Sequence, residues 1–136
     1  MFRLGGFLGI LTTIFLGLAL LNYILKWVNK RFVSKLPKTS KFKSTYLNVM
    51  KFVVQKHRWF GLGATVTMIA HLILQIIFAW VSTTGLIAAG LLVINGFIGA
   101  FMQFKLKGKR GPLLLVHRAM GVLLIAAIAV HVITKI

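Results

Sequence analysis

Four histidines, His57, His71, His117 and His131, hold most of the chemistry open to this 136-residue chain. The sequence has 17 lysines and arginines but no aspartate, glutamate or cysteine. Carboxylate-pair catalysis, Asp-based triads, Asp/Glu metal cages, disulfides, zinc–thiolate sites and thiol nucleophiles are therefore excluded. An imidazole can still ligate a metal, carry a proton or bond another helix.

Spacing narrows that choice. His57 and His71 stand at i and i+14, and so do His117 and His131. Such an interval makes about 3.9 turns of an ideal helix and two heptads of a left-handed supercoiled one, so both members of a pair face one side, about 21 Å apart. The surroundings repeat as well. His57-Arg58-Trp59-Phe60-Gly61 and His117-Arg118-Ala119-Met120-Gly121 share a His-Arg-x-x-Gly pattern at an offset of 60. The chain reads as a helical hairpin duplicated in tandem.

The elements that must carry these residues follow from hydropathy. A composition 59% hydrophobic, with mean hydropathy +0.94, excludes both a disordered basic segment and an ordinary soluble domain. Charge-free stretches run over Leu4 to Leu25, Trp59 to Phe104 and Ala119 to Thr134, the middle one 46 residues long. As one helix that stretch would measure about 69 Å, roughly twice the ~30 Å hydrocarbon core. It must fold back once, and the small polar run Val81-Ser82-Thr83-Thr84-Gly85 marks the break. The expectation is a single all-α transmembrane domain over 1–136, a four-helix bundle with helices at about 3–28, 46–80, 84–106 and 113–136 and a basic connection at 29–45.

Lysine and arginine bias orients the bundle. The first connection and its flanks hold Lys26, Lys30, Arg31, Lys35, Lys38, Lys41, Lys43, Lys51, Lys56 and Arg58; the third holds Lys105, Lys107, Lys109, Arg110 and Arg118. The second connection has none, and each terminus has one, Arg3 or Lys135. The positive-inside rule puts the first and third connections in the cytoplasm and both termini outside, in a bacterial-type plasma membrane. Trp27 and Trp59 suit the cytoplasmic interface and Trp80 the outer one. The first helix reads as a retained anchor, because no small-x-small cleavage pattern follows it. Phe32, Val33, Leu36 and Phe42 alternate with lysines, which suits a segment lying on anionic lipid headgroups. A topology signal accounts for every cation in it, so nucleic-acid binding is not expected.

Helices two and four are separated by one span and run parallel. His57 is then level with His117, and His71 with His131. Two levels of paired imidazoles are what two haems with bis-histidine ligation require. With both axial positions filled, no open oxygen site is expected and the implied role is electron transfer. A histidine-lined proton or metal-ion path, and a purely structural membrane subunit, are the alternatives. Hard cations prefer oxygen ligands, and no carboxylate is present to supply them. Arg58 and Arg118, with Lys56, are placed to pair with haem propionates or to signal topology. Thr67 either orients His71 or bonds its own helix. Gly61, Gly63, Gly90, Gly96, Gly99 and Gly121 would admit a flat macrocycle or close helix packing.

With two His-x13-His helices placed second and fourth, the chain resembles the diheme b-type membrane cytochromes. The likeness is to the haem-bearing four-helix core of cytochrome b, with cytochrome b561-type and ferric-reductase-like membrane domains as relatives. It covers about residues 46–136. The resemblance implies two haem b groups, held by His57 with His117 and by His71 with His131. It also implies transfer of electrons across the membrane between a quinol or flavin donor and an acceptor on the other face. The Pro-Glu-Trp-Tyr type motif of quinol-oxidising cytochrome b is absent. The expectation is thus an electron-conducting subunit of an oxidoreductase system rather than a complete enzyme. Its partners would be flavin, iron–sulfur or cytochrome proteins or a quinone, with membrane lipids around it and further copies or other chains as oligomeric neighbours. After haem-supplemented expression, the purified protein should be red and carry two haems per chain by pyridine hemochrome; a colourless preparation would remove the haem reading.

Overall fold

The computed structural model describes residues 2–106 and 111–135. Four α-helices, α1 (Phe2–Arg31), α2 (Lys41–Phe78), α3 (Thr83–Phe104) and α4 (Pro112–Lys135), make up nearly all of it, and there is no strand among the described residues. All four are long and apolar enough to cross a membrane. Large side chains such as Phe97, Phe104, Leu115 and Ile133 are more than two-thirds exposed, as residues facing acyl chains are expected to be.

Local chemistry sets the helix ends. Ser82 caps α3, its Oγ accepting from the Gly85 amide at 3.1 Å, so the chain turns back where the small polar run sits. Pro112 opens α4, at the position where its missing N–H costs nothing. The first connection differs from expectation. Ser40 caps α2 by accepting from the Lys43 amide at 3.3 Å, and α2 starts at Lys41 instead of 46. The connection is Phe32 to Ser40, not 29–45, and holds a 3-10 turn over Val33–Lys35 with Val33 buried. Lys43 Nζ donates to the Ser34 and Leu36 carbonyls at 3.0 and 2.7 Å, closing the turn. Hydropathy missed this because the first turns of α2 are polar, as a helix outside hydrocarbon is free to be. The part of α2 before His57 adds about 24 Å of helical stem at the basic end. Lys107, Lys109 and Arg110 of the third connection lie outside the described residues.

α1 packs along α2 and α3 along α4, each pair antiparallel. Thr12 Oγ1 donates to Thr67 Oγ1 at 2.9 Å across the first pair, and the Phe15 ring fills the notch at Gly63. The hairpins meet through one cluster drawn from all four helices: Leu16, Ala64, Met68, Leu92 and Leu124. Ala64 is 0% exposed and Leu124 1%. Each stands one heptad after a histidine, His57 or His117, and one heptad before the next, His71 or His131. This buried layer therefore lies midway between the two histidines of each helix.

Packing rather than water exclusion holds such a layer in lipid, because acyl chains are as apolar as leucine. Leu124→Ala leaves a cavity there and should destabilise the bundle by about 2 kcal/mol. Leu115→Ala, at a 71% exposed position, should change little. Thermal unfolding in detergent compares the two.

Candidate functional site

Each histidine turns its Nδ1 toward the companion helix of its own hairpin. His57 Nδ1–H donates to the Ala19 carbonyl on α1 at 2.9 Å, and His71 Nδ1–H to the Gly5 carbonyl at 2.8 Å. His117 Nδ1–H donates to the Asn95 carbonyl on α3 at 3.2 Å. His131 Nδ1 lies 3.1 Å from Thr84 Oγ1 and 3.2 Å from Ser82 Oγ. A carbonyl only accepts, so Nδ1 carries the proton in the first three rings and Nε2 keeps the lone pair a metal would take. Histidines that ligate metals are held in this manner, the second nitrogen fixed by an outer oxygen.

The acceptors repeat the period of their donors. Gly5 and Ala19 on α1 also stand at i and i+14. The same step back from Asn95 reaches Val81, which precedes the first turn of α3, and the hydroxyls of Ser82 and Thr84 serve in its place. Glycine recurs one helical turn beyond the acceptor positions. A Cβ at Gly9 would sit 3.4 Å from His71 Cε1, at Gly99 3.2 Å from His117 Cε1, and at Gly85 3.0 Å from His131 Cε1. Those three glycines let the rings lie close on the neighbouring backbone. The fourth equivalent position is Tyr23, and the Arg118 guanidinium lies 5.7 Å from its ring centre, joining α4 to α1.

Across the bundle, the His57 and His117 ring centres are 6.2 Å apart with planes at 89°. That spacing and angle are those of an edge-to-face ring pair. No group of three or more potential protein ligands is assembled among the described residues. A metal at either level must bring its other ligands, as haem iron brings four porphyrin nitrogens. The chemistry of the donor set, imidazoles whose Nδ1 is engaged and whose Nε2 keeps its lone pair, fits such a group.

The structure sorts the remaining candidates. Arg58 and Arg118 are exposed at the basic end, Arg58 with its guanidinium 5.4 Å from the Trp59 ring centre. Thr67 does not reach His71; its hydroxyl is taken up by Gly63, Ala64 and Thr12, and its role is in the helix pair. Of the glycines singled out for a macrocycle, Gly99 carries His117, Gly63 receives Phe15, Gly121 lies beside Asn95 Nδ2 and Gly96 lies 4.0 Å from Thr65 Oγ1. Only Gly61 and Gly90 of that set face open space.

Sequence reasoning missed the supporting helices. Their signal was present: Gly85 and Gly99 share the two-heptad interval of His131 and His117, in mirror order on the antiparallel partner. No family model matches the chain, and neither a curated protein nor a solved structure is significantly similar to it.

A branched side chain at Gly99 must displace the His117 ring. On the haem reading, Gly99→Val should therefore lower bound haem from two to one per chain, with the His71 and His131 level retained. Gly90→Ala, with nothing within 4 Å, should keep both.

Proposed function

We propose that the chain is a diheme b-type cytochrome subunit that conducts electrons across the membrane between redox partners on opposite sides. One observation carries this reading: every histidine has its Nδ1 engaged by an oxygen of the companion helix, with the histidines two heptads apart on α2 and on α4 and the His57 and His117 ring centres 6.2 Å apart. His57 and His117 would hold the group at the basic end, and His71 and His131 the group at the far end. When bound, haem supplies a one-electron carrier at each level.

The chain's own residues do the rest. The companion oxygens fix ring orientation and tautomer, so the ligands need little rearrangement when the metal's charge changes. Ala64, Leu124 and their neighbours keep water from the layer between the levels, which are about 21 Å apart along the helices, much of the ~30 Å hydrocarbon thickness. Arg58, Arg118 and Lys56 stand beside the basic-end pair and would receive propionate carboxylates, which no internal acid competes to bind.

The same hydrogen bonds weigh against a proton path. A relay imidazole must pass its proton onward, and a backbone carbonyl cannot hand on what it accepts. Three of the four rings end on such carbonyls.

Cation bias supports a cytoplasmic basic end and external termini. The first connection and its flanks carry ten of the 17 cations. That charge suits an acidic soluble electron donor or acceptor as well as anionic lipid headgroups.

Removing one ligand from each level separates the sites. His131→Ala should lose one haem and keep one, and His117→Ala should lose the other. In sealed vesicles, wild-type protein should let an external reductant reduce an enclosed acceptor, and either variant should abolish that transfer. Proton or metal-ion flux by haem-free protein, abolished by His71→Ala, would favour the transporter alternative.

A further inference from the structure

One histidine is held differently from the other three. His57, His71 and His117 end on backbone carbonyls, whereas His131 meets the two hydroxyls at the start of α3. Ser82 Oγ already accepts the Gly85 amide at 3.1 Å and has the Thr84 hydroxyl at 3.4 Å. With the Thr84 proton turned toward Ser82, the lone pairs of Thr84 Oγ1 are left to accept Nδ1–H of His131 at 3.1 Å.

From this difference we infer that Thr84, supported by Ser82, is a positioning residue that sets the basicity of His131 and thereby tunes the far-end redox site separately from the basic-end one. The inference rests on the diheme reading. The strength of the outer acceptor controls how much charge an imidazole gives its metal. A hydroxyl accepts less strongly than an amide carbonyl, so Thr84 draws less on Nδ1 of His131 than a carbonyl at the same distance would. The first turn of α3 adds its positive dipole end at the same place. Both effects favour the reduced form of a metal held there. The cause is the fold: a carbonyl two heptads before Asn95 would belong to Val81, and the chain is still turning at that point.

The test is a potentiometric titration of the haem-loaded protein, followed by visible spectra. The far-end component is assigned by its absence in His71→Ala. Thr84→Asp supplies a carboxylate acceptor and should lower the far-end potential, reducing the reduced-to-oxidised ratio at fixed ambient potential about tenfold, which is 59 mV for one electron. Thr84→Val combined with Ser82→Ala removes both acceptors and should shift the same component the opposite way. Thr84→Ser should restore the wild-type value, and the basic-end component should not move in any variant. If Thr84→Asp fails to assemble its far-end haem, the double variant and the Thr84→Ser rescue still carry the test. Two bound haems with unshifted potentials, or equal shifts in both, would overturn this inference alone. Wild-type protein that binds no haem would instead overturn the diheme reading beneath it.

Discussion

An imidazole N–H inside a bilayer has no water to bond and must find an oxygen on the protein. In this chain that requirement governs how closely the helices of each hairpin approach. An Nδ1 within 2.8–3.2 Å of a neighbouring main-chain oxygen brings the ring against that helix's backbone. Three of the four contacts are made where the opposing residue is glycine, because a Cβ would come within about one van der Waals contact of the ring, and at Gly85 closer still. Ring orientation and hairpin packing are thus one interaction.

From that follows the division of labour between helices. α2 and α4 carry the histidines, and α1 and α3 carry the oxygens and glycines that hold them. A two-heptad period appears on histidine-bearing and supporting helices alike, because antiparallel neighbours pair in register only if both repeat with the same rise. Ala64 and Leu124, each halfway between two histidines, are the most buried points of the interface between hairpins. The bundle closes at its middle, between the two histidines of each helix.

Charge obeys the same economy. With no internal acid, the cations have no side-chain carboxylate to meet, and Arg58 and Arg118 rest on the faces of Trp59 and Tyr23. Cations of the stem stand on a helical extension outside the apolar span, where hydration is available. The excess of positive charge is therefore tolerated at one end of the molecule.

Much of this was legible in the amino-acid sequence. The number of spans, the break at Ser82 and the two histidine pairs depend on hydropathy, capping and helical period, all of which are local. The start of α2 was not legible, since a polar helix beyond the bilayer has no hydropathy signature and only the Ser40 cap announces it. Nor was the assignment of Thr67 or of the glycines. Whether Thr67 bonds Thr12 or His71, and whether Gly99 admits a ring from α4 or a flat group, depends on which face of a second helix arrives opposite. Residue types and spacing by themselves determined that two of the apolar helices would each carry two imidazoles on one side, two heptads apart. Only the tertiary structure decided which oxygen holds each ring, because a hydrogen bond between helices belongs to the distance between two backbones and neither stretch of sequence contains that distance alone.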